Sequence, residues 1–258
     1  MSSTSLFDLT GKTALITGGS KGIGKAIARG FAEAGADICI TARNKEALHA
    51  AGEEIATGLG VRVECFACDM GDRAAADAMA DQVLERFGAV DILVNNAGTN
   101  RPETLLETTE ETWDEILEIN FTACMRLARK LAPGMISQNW GRIIHLSSVM
   151  ALASNSGRGL YSGTKAALIG MSKAHALELG PHGITVNCIC PGPIATDLPM
   201  SLLNDEQKER FAQRTALKRW GETIDMVGPA LLLASDGGAY VTGTVILADG
   251  GMLCRTFD

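Results

Sequence analysis

Tyr161 and Lys165 stand four residues apart, a spacing that sets both side chains on one face of a helix. An ammonium beside a phenol favours the phenolate, giving a proton donor and acceptor usable near neutral pH. Ser148 lies upstream of the pair, and Asn120 further back. A tyrosine and a lysine on a half-exposed helix face are common, so the pair alone decides nothing. Its meaning rests on a second group near the start of the chain.

That group is Gly18-x3-Gly22-x-Gly24. The apolar run from Thr13 to Thr17 reads as a buried strand that stops at the glycines. Ile27, Phe31 and Ala34 then recur at helical spacing as far as Gly35. In this context glycines let the backbone approach a pyrophosphate, and the helix N-terminus offers free N–H groups. The spacing departs by one residue from the usual G-x-G-x-x-G. Gly19-x4-Gly24-Lys25 nearly matches a P-loop, but Ala26 follows where Ser or Thr would hold magnesium. Nucleotide-triphosphate hydrolysis is therefore set aside.

After the second strand, a carboxylate would hold the ribose 2′-hydroxyl of NAD. The chain has Arg43 there, and Lys21 in the glycine turn is placed to reach the same point. Two cations suit a 2′-phosphate, so NADP is expected over NAD, with NAD(H) still usable. Asp69, closing the third strand, is read either as an acceptor for the adenine amino group or as a helix N-cap.

The elements that must position these residues alternate along the chain. Strands are expected at 37–42, 61–68, 90–94, 141–146, 184–189 and 244–247. Helices are expected at 45–58, 72–87, 111–137, 161–179 and near 225–235. The strands are mostly continuous apolar runs, the pattern of a parallel sheet covered on both faces. This predicts an α/β, Rossmann-like, doubly wound parallel sheet of about seven strands, as a single domain over 1–258. Residues 197–219 read as a small helical substrate lid. The singled-out residues fall at the carboxyl ends of strands, where open α/β sheets bind ligands.

Composition narrows the classes. The chain has 258 residues, with 46% hydrophobic and 21% charged, ordinary for a globular protein. A formal net charge of −7 argues against nucleic acid or an anionic membrane as partner. Seven cysteines, an odd count, and no secretory leader point to a reducing, cytoplasmic setting. Cys65-x-x-Cys68 and Cys188-x-Cys190 lie in strand-like runs and read as buried thiols, so no metal is expected. No G-x-S-x-G surrounds Ser148, and no histidine is placed for a triad; His145 reads as packed.

With these residues in hand, the chain resembles the short-chain dehydrogenase/reductase family over essentially its whole length. The motifs are Thr17-Gly18-x3-Gly22-x-Gly24, Asn95-Asn96-Ala97-Gly98, Asn120, Ser148, Tyr161-x3-Lys165 and Pro191-Gly192 with Thr196. The resemblance implies hydride transfer between a nicotinamide and a ketone or secondary alcohol. It makes Tyr161 the general acid or base, and Lys165 its partner and a holder of the nicotinamide ribose. Ser148 polarises the substrate carbonyl, and Asn120 kinks its helix and holds a relay water. Ser20, Ile23, Met70 and Gly98 join the cofactor set. Asn95 and Ala97 line the adenosine side, and Pro191, Gly192, Ile194 and Thr196 border the nicotinamide. Gly163 departs from the alanine or serine often found there.

Arg101, Met150, Asn155 and Leu198 are expected to line the substrate. Arg101, Arg219-Trp220-Gly221 and the ending Asp249 to Arg255 look like the sugar-acid and polyol dehydrogenase branch. Arg101 reads equally as a partner for a substrate carboxylate or as a solvated loop residue. The rival branch is 3-oxoacyl-carrier-protein reductase, for which Arg126, Arg129 and Lys130 would supply a basic rim. A more distant alternative is a non-catalytic NADP-binding redox sensor. The resemblance also implies a homo-oligomer, usually a tetramer.

Overall fold

The computed structural model describes residues 3–254. Seven strands form one wholly parallel sheet: β1 (Thr13–Thr17), β2 (Asp37–Ala42), β3 (Val63–Ala67), β4 (Ile92–Asn95), β5 (Gly141–Leu146), β6 (Ile184–Pro191) and β7 (Val245–Ala248). Their order is β3-β2-β1-β4-β5-β6-β7. The order reverses between β1 and β4, and such a switch point opens a crevice beyond the strand ends. The helices are α1 (Gly22–Glu33), α2 (Lys45–Ala56), α3 (Arg73–Phe87), α4 (Glu110–Leu117), α5 (Ala123–Gln138), α6 (Gly159–Leu179), α7 (Asp197–Leu202), α8 (Asp205–Arg214) and α9 (Val227–Ala234).

The strands are continuously apolar because successive side chains feed two different cores. Ile16, Ile38 and Ile40 join Ile27 and Phe31 of α1, Leu48 and Ile55 of α2 and Leu233 of α9. Leu15, Cys39, Leu93 and Ile143 pack on the other face against Met79 and Val83 of α3 and Leu127 and Leu131 of α5. Complete burial of a side chain such as Phe31 contributes about 1.5–3 kcal/mol. No helix among the described residues is long and apolar enough to cross a membrane.

Two expectations need correction. The helix expected over 111–137 is interrupted by a π-turn, Glu118–Thr122, between α4 and α5. Asn120 sits in that turn, held to a neighbouring loop by two side-chain hydrogen bonds. The N-cap of α3 is Asp72, which accepts from Ala74 N and Ala75 N; Asp69 instead accepts from Gly71 N at 2.9 Å. The Asp69 cap reading is thereby overturned.

His145 lies opposite Asn95 and Cys188 across β5, with no exposed surface. Its Nδ1 meets Asn95 Nδ2 at 3.1 Å. Burial first, then the charges of His175 and Lys165, pushes its pKa down to about 3. The unfolded chain protonates it near 6.5. The unfolded state therefore binds the extra proton between these values, and stability falls as pH drops from about 6.5 toward 3, by up to about 1.4 kcal/mol per pH unit. Urea midpoints followed from neutral pH downward should decline less steeply for His145→Gln than for the wild type. Equal slopes would show that His145 is not the group responsible.

Candidate active site

The glycine turn is built by close backbone approach. Gly18 and Gly22 adopt left-handed backbone, with φ of 68° and 58°. A Cβ at Gly24 would collide with Asn96 Nδ2 and with Gly18 O. Thr17 and Asn96 stitch the turn to the end of β4. Thr17 Oγ1 accepts from Asn96 N at 3.0 Å and from Ala97 N at 2.9 Å. Asn96 Nδ2 donates to Thr17 O at 2.8 Å. Lys21 is the N-cap of α1 and makes no side-chain cap, so the first turn of α1 keeps N–H groups for a ligand. A Cβ-free cradle at an uncapped helix start fits a dinucleotide pyrophosphate.

Arg43 is exposed after β2 and lies 3.9 Å from Asp69 across the ends of β2 and β3. Ala97 is half-buried beside Thr17, and Ser20 and Ile23 are half-buried in and after the turn. Two cofactor candidates turn elsewhere. Asn95 is 2% exposed and directs its amide to His145 and to Cys124 O, into the core. Met70 is packed in the core formed by α3 and α5. Asn96, passed over as a site residue, does the structural work instead; its place directly after the last strand residue was the available signal.

On the other side of the switch point, β5 ends at Leu146 and continues through Ser147 and Ser148. Lys165 Nζ donates to Leu146 O at 2.7 Å, and Ser147 Oγ donates to Lys165 O at 2.8 Å. These bonds dock α6 on the strand end. Tyr161, one turn before Lys165, has its ring centroid 5.8 Å from the ammonium. Ser148 Oγ accepts from Met150 N at 3.1 Å. Asn120 Nδ2 donates to Thr99 O at 2.9 Å and Thr164 Oγ1 at 3.2 Å, while its Oδ1 accepts from Thr99 N at 2.8 Å. Gly98 lies between these groups: a Cβ there would be 3.3 Å from Asn120 Oδ1 and 3.4 Å from Lys165 Nζ. Asn120, Ser148, Tyr161 and Lys165 thus belong to one connected assembly. Ser147, Thr99 and Thr164 complete it, and of these Ser147 and Thr164 were not foreseen.

The segment after β6 closes the crevice. Gly192 N donates to Ala248 O at 3.0 Å, and a Cβ there would meet Asp249 Cα at 2.6 Å. Pro191 and Ile194 are buried, Ile194 in the core near α9. Thr196 Cγ2 lies 3.3 Å from a Cβ built on Gly22, so this loop meets the glycine turn. Among the substrate candidates, Arg101 pairs with Glu115 at 2.5 Å. Met150 is half-buried, and its sulfur lies 3.9 Å from Nδ2 of the exposed Asn155. The Leu198 side chain and Arg255 lie outside the described residues. Gly163 is exposed, and nothing in the structure explains its lack of a side chain.

A doubly wound parallel sheet with a glycine turn at its switch point is the architecture of dinucleotide-binding proteins. A family model described as enoyl-(acyl carrier protein) reductase matches residues 18–253. The 3-oxoacyl-acyl-carrier-protein reductase FabG of Staphylococcus aureus is 39% identical over 242 residues, 93% of this chain and 98% of that one. A gluconate 5-dehydrogenase from Burkholderia cenocepacia J2315, solved in complex with NADP and tartrate, superposes with a TM-score of 0.93 at 32% identity, covering 99% of this chain and 100% of that one. A 3-oxoacyl (acyl-carrier-protein) reductase from Agrobacterium tumefaciens C58, with NADP bound, superposes with a TM-score of 0.92 at 30% identity, covering 97% of this chain and 98% of that one. The chain belongs to the short-chain dehydrogenase/reductase family. It is an oxidoreductase acting on the CH–OH/C=O couple.

Gly24→Ala tests the close approach at the turn. Overpacking of this kind costs about 1–3 kcal/mol. Each kcal/mol lowers Tm by about 2–4 °C in a domain approaching this size. A melt of the ligand-free variant matching the wild type would contradict the geometry.

Proposed function

We propose that the protein reduces a small ketone, or oxidises the matching secondary alcohol, with NADP(H), on a sugar acid, polyol or similar small carbonyl. The observation that carries this is the assembly of Asn120, Ser148, Tyr161 and Lys165 beside the glycine turn. NADPH, when bound, supplies the hydride that reaches the carbonyl carbon. Ser148 Oγ–H donates to the carbonyl oxygen and draws charge toward it. Tyr161 gives its phenolic proton to that oxygen as the alcohol forms. Lys165 stabilises the phenolate left behind and holds the ribose. Asn120 keeps a water on the path that returns the proton. In oxidation Tyr161 runs in reverse as the base.

Arg43 supports NADP: it stands where a carboxylate would bind the 2′-hydroxyl of NAD, with the exposed Lys21 in the adjoining turn. The pyrophosphate falls to Gly18, Gly22 and Gly24 and the start of α1. Arg126 and Lys130 each pair with an α3 carboxylate, Asp77 and Asp81, and so make a poor rim for an acidic carrier protein. The relative solved with NADP and tartrate supports a small acid substrate. The close likeness to 3-oxoacyl-carrier-protein reductases keeps acyl thioesters as the second reading.

Helices α7 and α8 are read as a lid over the substrate, and the setting as cytoplasmic. The family resemblance is the ground for reading the protein as a homotetramer, and the exposed Leu105, Leu106 and Leu177 are compatible with contacts between copies.

Keto sugar acids, acetoacetyl thioesters and simple cyclic ketones, each offered with NADPH and NADH, test both readings. Tyr161→Phe should lower kcat about 10²- to 10⁴-fold while leaving the Kd for NADPH nearly unchanged. Undiminished turnover would sink the proton-transfer role. kcat/KM should be higher with NADPH than with NADH, and Arg43→Ala should remove most of that preference. A wild type equally active with both cofactors would refute the Arg43 assignment.

A further inference from the structure

Arg158 is the N-cap residue of α6. Positions 158, 161 and 165 are three and four residues apart, so Arg158 shares the face that carries Tyr161 and Lys165. Its N–H donates to Asn155 O at 3.2 Å, and the preceding Gly157 O accepts from Glu103 N at 3.1 Å. These bonds hold it where the segment after β4 meets the segment after β5, on the rim of the crevice. The residue is half-buried, and its guanidinium has no carboxylate or hydrogen-bond partner among the described residues. Of the other rim arginines, Arg101 is occupied by Glu115 and Arg219 by Asp225, and Arg43, loosely paired with Asp69, serves the cofactor end. An unpaired guanidinium at a crevice rim is open to an anion, and its planar fork matches a carboxylate with two parallel hydrogen bonds.

We propose that Arg158 binds the carboxylate of the substrate and so orients the reacting carbon toward Ser148 and Tyr161. This rests on the ketone-reductase reading and narrows it to a small oxo or hydroxy acid. Along the helix axis Arg158 and Tyr161 are about 4.5 Å apart, a separation that one short molecule spans. Arg101, engaged by Glu115, is not the anion partner. Arg158 acts by positioning and discrimination; the proton moves elsewhere.

The test compares levulinate with methyl levulinate, each reduced with NADPH by the wild type, Arg158→Gln, Arg158→Lys and Arg101→Gln. The wild type should prefer the acid. Arg158→Gln should lower that preference about 10- to 100-fold, chiefly through KM. Arg158→Lys should restore part of it, Arg101→Gln should leave it intact, and the Kd for NADPH should not move. A wild type indifferent to the ester, or an equal preference in Arg158→Gln, overturns the proposal. If neither compound is reduced, the reading of small ketones as substrates fails separately. Tartrate added to the NADPH-loaded protein then decides the anion site. A rise in Tm that Arg158→Gln loses supports it, and no rise in the wild type refutes it.

Discussion

Lys165 is almost wholly buried, 4% exposed, at the seam between α6 and the end of β5. A cation there is tolerated only where it is hydrogen-bonded, and Leu146 O meets it at 2.7 Å. The same residue's carbonyl accepts from Ser147. Two bonds through one residue set both the height and the rotation of the helix on the strand. Ser148 is the next residue of the chain and Tyr161 the preceding turn of the helix, so their relation follows from how this one cation is satisfied. His145, one residue before Leu146 and equally buried, stays neutral near that charge, which avoids a second uncompensated cation under the site.

The opposite wall of the crevice is fixed by backbone rather than by charge. Gly18 and Gly24 admit the Asn96 side chain into space that any Cβ would occupy, and Thr17 Oγ1 gathers the N–H groups of Asn96 and Ala97 just beyond β4. The two walls meet at Gly98, between Asn120 and Lys165. The π-turn at Asn120 is part of this closure. Its amide satisfies both the N–H and the C=O of Thr99, binding an irregular loop whose polar groups would otherwise lack partners near the core.

The sheet was legible because each strand feeds two cores and so leaves an unbroken apolar run, as in Ala14-Leu15-Ile16 and Ile92-Leu93-Val94. The Tyr161-x3-Lys165 pair was legible because helical spacing alone brings it together. What escaped depended on where an element ends. Asn95 still belongs to β4, in register with His145, so strand alternation turns it inward, while Asn96 is the first residue free to turn toward the glycines. A motif of two adjacent asparagines does not say which of them is still in the strand. The cap at Asp72 rather than Asp69 is the same difficulty at a helix start. The break at Asn120 was expected only from the family resemblance, because no spacing in the sequence marks an extra residue in a helix.

Charge is the remaining tension. A chain of net charge −7 is a poor long-range attractor for a phosphorylated, doubly anionic or carboxylated ligand. The molecule resolves this locally. The uncapped start of α1 offers N–H groups and the positive end of a helix dipole without any net charge. Arg101 and Arg219 are held closely by Glu115 and Asp225, whereas Arg43 is only loosely held, 3.9 Å from Asp69. A loose pairing of that kind keeps the guanidinium in place and is readily exchanged for a stronger anion. Recognition is thus carried by a few oriented donors at the strand ends, with the surface as a whole left acidic.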